Sequence, residues 1–180
     1  MDGVLFSIVL YILMVNLSVF LFTKSLKKSK IMHTYKSDLP EICIRYKTGP
    51  SKKIKISNST AVFELLKELF NTDTVEIQEE FICILLNRAN NTLGWYRVSC
   101  GGITGTVADP RLIFAVALKA GATGLIIAHN HPSGGLTPSS SDIDLNRKIK
   151  QAGELLDIHL LDSVIYTPEK QYSFADAGLL

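Results

Sequence analysis

The segment LIIAHNHPSGGLTPSSSDID, from Leu125 to Asp144, contains the features that determine the predicted fold. It begins with an apolar run that is typical of a buried strand. Pro132 and the Gly134-Gly135 pair then predict a sharp turn, because proline ends a strand and glycine allows unusual backbone angles. Ser139 follows in the position of a helix N-cap. The segment therefore predicts a buried strand, a turn and a helix, in this order.

Two histidines stand at the end of the predicted strand, and an aspartate follows in the first turn of the predicted helix. His129 and His131 are separated by one residue, so their side chains lie on the same face of a strand. With Asp142 they provide three ligands of the kind that zinc accepts, and the fourth position is left for water. A capped helix with an acidic first turn also explains Ser139 and Asp142 without a metal. The spacing alone leaves both interpretations open.

The rest of the chain predicts an α/β fold in which helices pack on a mixed sheet. Apolar periodicity and capping residues predict the helices, and short apolar or alternating runs predict the strands. The expected helices are Ser59–Phe70, a helix from Asp109-Pro110 to Gly121, and a helix from Ser139 to about Leu156. The expected strands are 41–46, 52–56, 80–87, 92–99, 124–129 and 159–167.

The N-terminal segment differs in character from the rest of the chain. Val4–Phe22 is 19 residues without a charge, which as a helix would span roughly 28 Å, close to the thickness of a hydrocarbon core. The basic segment KSLKKSK follows it, so the positive-inside rule places the remainder in the cytoplasm. We expect an inner-membrane anchor in residues 1–31. The alternative is a soluble cytoplasmic protein that begins at Met32.

Composition limits the remaining possibilities. The chain has a net charge of +2. Residues 1–31 carry +3, so residues 32–180, the body of the chain, carry −1 and are close to neutral. A near-neutral body argues against broad binding to nucleic acid. The three cysteines, Cys43, Cys83 and Cys100, are widely spaced, which suits reduced thiols and not a disulfide framework. We divide the chain into 1–31, a hairpin and helix in 32–73, and a domain in 74–180 that contains the histidine motif.

The motif HNHPSGGLTPSSSD resembles the H-x-H-P and S-x-x-D pattern of the JAB/MPN metallopeptidase family. Together with AGELLDIHLLD, it is most similar to the bacterial RadC branch, and the resemblance covers Thr74 to the C-terminus. It implies a JAB/MPN-like fold with cytidine-deaminase-like layering, and one Zn²⁺ held by His129, His131 and Asp142. It further implies zinc-dependent hydrolysis of peptide or isopeptide bonds, with Ser139 donating a hydrogen bond to the oxyanion. The partner would be a peptide or protein substrate.

The resemblance also implies a glutamate at the start of an earlier buried strand, which acts as general base. EEFICILLN offers Glu79 and Glu80, and neighbouring strand residues point to opposite faces, so only one of them can reach the metal. Glu80 stands directly before the apolar run and matches the family pattern better. We therefore expect Glu80 to be catalytic, with Glu79 as the residue to exclude.

Two departures from the RadC pattern put in doubt the role of one position and remove the family's clearest DNA-binding element, but they leave the implied ligand set intact. Ser163 stands after LLD, where the branch usually has a histidine, and the helix–hairpin–helix region that often precedes the domain has no counterpart in this sequence. The alternative function is a non-catalytic or DNA-repair-associated interaction module on the same fold. The intact set of Glu80, His129, His131, Ser139 and Asp142 favours the enzyme.

Overall fold

The computed structural model describes residues 45–47, 49, 53–102 and 105–180, and within these residues it contains three helices and five strands. The helices are α1 (Ser59–Leu69), α2 (Pro110–Ala120) and α3 (Ser140–Leu155). The strands are β1 (Glu80–Leu86), β2 (Thr92–Cys100), β3 (Gly124–Asn130), β4 (His159–Tyr166) and β5 (Gln171–Ser173).

Each helix begins where a side chain satisfies the free backbone N–H groups of its first turn. Asn58 caps α1 by accepting from the N–H of Ala61 at 2.8 Å. Asp109 caps α2, which also has proline at its first position and ends at Gly121 in the left-handed region, with φ of +66°. Ser139 caps α3. The helices therefore start within one residue of their expected positions.

The five strands form one mixed sheet in the order β2-β1-β3-β4-β5. The central strand β3 pairs antiparallel with β1 and parallel with β4, and the outer pairs are both antiparallel. Parallel neighbours need a crossover, and α3 provides it between β3 and β4. The prediction of a mixed α/β fold with helices on the sheet is confirmed.

Apolar side chains cover both faces of the sheet, so the core has two layers. Helix α1 packs on one face, called here the α1 face, against Ile82, Ile84 and Ile126. Helices α2 and α3 cover the opposite face, called here the α2–α3 face, against Phe81 and other side chains from β1 and β3. Strand residues alternate between the two faces. The face on which a residue lies therefore decides which neighbours it can reach.

The N-terminal expectations fall largely outside the described residues. Val4–Phe22 and half of the predicted hairpin in 41–56 lie outside the described residues, and among the described ones Lys55 forms an isolated bridge with Asn91. In the described part of the chain, none of the helices has both the length and the apolar character needed to cross a bilayer. Helix α1, from the predicted segment 32–73, shares its core with the sheet of residues 80–173.

Candidate metal centre

The two histidines lie side by side at the end of the central strand. His129 lies on the α2–α3 face, in alternation with Leu125 and Ile127. Its ring stacks on that of Phe81, with centroids 5.8 Å apart and planes 3° apart. His131 follows the strand by one residue, and its Nε2 lies 3.0 Å from His129 Nε2. The spacing of two residues therefore brings both imidazoles to one face, as the sequence predicts.

The turn after β3 fixes the ring of His131 and its tautomer. His131 Nδ1 lies 2.7 Å from the carbonyl oxygen of Gly135. A carbonyl can only accept, so Nδ1 carries the proton and Nε2 keeps a free lone pair. Gly134 makes the turn possible with φ of +76°. The loop therefore orients Nε2 as a metal ligand, the arrangement in which ligating histidines are usually held.

Asp142 brings a carboxylate to the same place from the first turn of α3. Its Oδ1 lies 3.4 Å from His129 Nε2, and its Oδ2 lies 4.0 Å from His131 Nε2. Oδ2 also accepts from the N–H and the hydroxyl of Ser139, each at 2.7 Å. The capping box thus fixes the carboxylate as well as the helix start. Asp144, two residues further along the helix, instead accepts from Arg147 at 2.9 Å on the exposed side of the helix.

The hydroxyl of Ser139, which is expected to donate to the oxyanion, is engaged by Asp142. The hydroxyl oxygen accepts from the N–H of Asp142 at 3.2 Å, and its single proton goes to Asp142 Oδ2. In this arrangement Ser139 positions the Asp142 carboxylate beside the histidines. Donation to a substrate oxygen requires the hydroxyl to rotate away from Asp142.

The three side chains fit a zinc ion by distance and by chemistry. Their ligand atoms all lie within 4.8 Å of one another. Ligands at about 2.0–2.2 Å from a tetrahedral zinc ion are roughly 3.3–3.6 Å apart. The two Nε2 atoms are 3.0 Å apart and Asp142 Oδ1 is 3.4 Å from His129 Nε2, whereas Asp142 approaches His131 Nε2 through its other oxygen, Oδ2, at 4.0 Å. Two imidazoles and a carboxylate with an open fourth position match catalytic zinc sites, whereas structural sites have four protein ligands.

Burial keeps the first ligand neutral. Only 4% of the His129 side chain is exposed, against 19% for His131 and 17% for Asp142. Burial lowers the pKa of His129 well below its ordinary value, Asp142 opposes this shift, and His131 adds to it. A neutral imidazole is the form that binds metal. The more exposed sides of His131 and Asp142 leave the centre open to solvent from one direction.

The structure places Glu80, the expected general base, on the wrong face of the sheet. Glu80 alternates with Ile82 and Ile84 and therefore points to the α1 face, away from the histidines. Its buried Oε2 lies 3.0 Å from Arg97 Nε, as an ion pair without the alignment of a hydrogen bond. The side chain of Glu80 therefore lies beside Arg97 and away from the histidines. This corrects the prediction that Glu80 is the glutamate that faces the metal.

Glu79 lies on the face of the histidines. Phe81 pairs with His129 in the antiparallel register of β1 and β3, and continuing this register sets Glu79 opposite His131. The carbonyl of Glu79 accepts from the N–H of Gly101 at 2.8 Å, which extends the β1–β2 ladder by one residue. Burial raises the pKa of Glu79, His131 lowers it, and Asp142 raises it further. The register and the electrostatic influence of His131 and Asp142 agree in placing Glu79 on their side of the sheet.

Ser163, which departs from the RadC pattern, is buried on the α2–α3 face of β4. It pairs with Ile127, while Ile165, two residues on, pairs with His129. The backbone N–H of Ser163 donates to Asp162 Oδ1 at 2.8 Å, and its carbonyl accepts from Phe174. Ser163 thus lies on the same face of the sheet as His129, next to the residue two positions before it in β3.

The sequence of the chain matches the model of one protein family over most of the described residues. That family is described as the RadC-like JAB domain, and the match runs from residue 56 to residue 179. The chain belongs to this family. The resemblance deduced from the histidine motif is therefore confirmed, and with it the JAB assignment of the mixed sheet.

Relatives of this RadC-like chain occur in distant bacteria. It is 44% identical to a UPF0758 protein of Flavobacterium johnsoniae over 125 residues, which is 69% of this chain and 53% of that protein. It is 37% identical to a UPF0758 protein of Aquifex aeolicus over 142 residues, which is 79% of this chain and 59% of that one. The chain thus spans about half the length of these curated relatives, whose names specify no activity.

Proposed function

We propose that this RadC-like chain is a zinc-dependent hydrolase of peptide or isopeptide bonds. The observation that carries the proposal is the convergence of His129, His131 and Asp142 with the Glu79 carboxylate on one face of the sheet. Three ligands, an open position and a nearby carboxylate are the parts of a hydrolytic zinc site. When bound there, zinc supplies a polarised scissile carbonyl and a water molecule that is easier to deprotonate.

The ligands have distinct tasks in this proposal. His129 is rigid, because it is buried and its ring stacks on Phe81. His131 is oriented by the carbonyl of Gly135, and Asp142 is held by Ser139. Preorganised ligands keep the catalytic geometry without reorganisation at the moment of reaction.

Glu79 is the general base in this proposal. Its raised pKa brings the carboxyl closer to neutral pH, where a group can both accept and return a proton. It takes the proton of the attacking water and passes it to the leaving amine. Gly105 lies beside it, since a Cβ at that position would be 3.9 Å from Glu79 Oε2.

Metal analysis combined with hydrolysis assays tests this proposal. We expect the purified full-length chain to bind one zinc ion and to cleave either fluorescein-labelled casein or a peptide joined to a lysine side chain by an isopeptide bond. Removal of zinc by 1,10-phenanthroline should abolish cleavage, and added Zn²⁺ should restore it. A chain that binds one zinc ion and cleaves neither probe would support the interaction module instead.

We also propose that the N-terminal segment anchors the chain in the inner membrane. Val4–Phe22 is uncharged and Lys24, Lys27, Lys28 and Lys30 follow it, so residues 32–180 should face the cytoplasm. The protein expressed from Met1 should sediment with membranes and resist protease added to intact spheroplasts. If the protein is recovered in the soluble fraction as a chain that begins at Met32, the anchor is refuted. If protease added outside digests residues 32–180, the orientation is opposite to the one proposed.

A further inference from the structure

Asn130, the residue between the two histidines, makes three hydrogen bonds through its side chain. Its side chain is fully buried, with no exposed surface. Oδ1 accepts from the N–H of Glu80 at 2.7 Å. Nδ2 donates to the carbonyl oxygens of Val75 at 2.6 Å and Gln78 at 2.8 Å. The amide therefore uses its acceptor and both of its donors.

These hydrogen bonds hold the peptide groups on both sides of Glu79. The carbonyl of Gln78 belongs to the peptide unit before the Glu79 Cα, and the N–H of Glu80 belongs to the unit after it. Asn130 binds both. Since the two flanking peptide planes define φ and ψ of a residue, the direction of the Glu79 side chain is fixed by this amide.

We infer that Asn130 is a positioning residue, which sets the Glu79 carboxylate at a fixed place relative to the metal ligands. The inference rests on the proposed function. Because Asn130 lies between His129 and His131, the residue that holds the base segment is built into the strand that carries two ligands. His129 and His131 point to the α2–α3 face, and Asn130 reaches from the same backbone to the start of β1. Ligands and base are thereby assembled as one rigid unit.

Among side chains of this length, only asparagine combines one acceptor with two donors. Serine is too short and offers one donor, and aspartate keeps the acceptor for Glu80 but turns a carboxylate oxygen toward two carbonyls. Misplacing a catalytic group by about 1 Å costs roughly a hundredfold in rate, and loss of outer-shell partners costs roughly 10–100-fold. The consequence should appear in turnover, because His129, His131 and Asp142 remain in place.

The test compares Asn130→Ser and Asn130→Asp with Ser173→Ala in the full-length zinc-loaded chain, with fluorescein-labelled casein and the isopeptide-linked peptide as probes. Ser173→Ala is the matched control, since it removes the buried hydrogen bond that Ser173 donates to Asp162 and the part-buried one that it accepts from the N–H of Asp176. We expect kcat of both Asn130 variants to fall roughly 10–100-fold, with KM within about twofold and one zinc ion bound. Amide exchange should become faster in residues 75–82. Ser173→Ala should keep kcat and show faster exchange in residues 162–176.

The results separate this inference from the proposed function. Unchanged kcat in both Asn130 variants, or loss of zinc together with kcat, would overturn the positioning role. If the unmodified chain binds zinc but cleaves neither probe, the proposed function fails, and amide exchange then decides about Asn130 alone. Faster exchange confined to residues 75–82 would support the hold on the Glu79 segment, and unchanged exchange would overturn it.

Discussion

Glutamine in place of Glu79 should lower turnover by roughly 10²–10⁴-fold, the range that general acid–base catalysis contributes. The amide keeps the size of the side chain but cannot accept a proton from water. Zinc content should stay at one ion per chain, because Glu79 is separate from the three ligands. The measurement is kcat for a cleaved probe together with zinc by mass spectrometry. A fall in zinc content would show that Glu79 acts on metal binding instead.

The neighbouring glutamate provides the control for this experiment. Glu80→Gln makes the same chemical change one residue away, on the opposite face of the sheet, where the carboxylate lies 3.0 Å from Arg97 Nε. Its kcat should stay within about twofold of the unmodified chain, and stability should change little, because the Arg97 guanidinium is 45% exposed and stays hydrated when the Glu80 charge is removed. The reverse pattern, with Glu80→Gln inactive and Glu79→Gln active, would restore the assignment made from the sequence.

The error over Glu79 and Glu80 shows which part of the site the sequence could not determine. Alternation along a strand guarantees that the two residues face opposite ways, but it does not say which way. The answer depends on the register between β1 and β3, in which Phe81 meets His129, and these residues are 48 positions apart. A shift of one residue in that register would exchange the two glutamates.

The clustering of the three candidate ligands was predictable because their geometry is local. His129 and His131 share a strand face, and Asp142 occupies the first turn of the helix that follows. Local capping rules likewise placed the starts of α2 and α3. Asn130 lies within the same motif, yet its role depends on Val75, Gln78 and Glu80, at least 50 residues earlier. Strand β5 has three residues and too weak a pattern to be predicted alone.

Asparagine in place of Asp142 should weaken zinc binding by more than about a hundredfold, beyond the loss of an outer-shell partner, and abolish cleavage. The amide oxygen of asparagine can still accept from the N–H and hydroxyl of Ser139, so the start of α3 should remain intact. The amide nitrogen then faces the histidines, and it carries protons and has no lone pair to offer a metal. The measurements are zinc affinity by competition with a chelator and helix content by circular dichroism.

Asp144→Asn is the matched control, since it makes the same change two residues further along the same helix. Asp144 is 58% exposed and accepts only from Arg147, so its loss removes one surface ion pair, typically worth less than about 1 kcal/mol. Zinc affinity and turnover should be unchanged in this variant. If Asp144→Asn loses zinc and Asp142→Asn keeps it, the ligand assignment is wrong. If both variants keep zinc, two histidines and a further ligand outside the three must hold it, and the role of Asp142 would be limited to the capping box with Ser139.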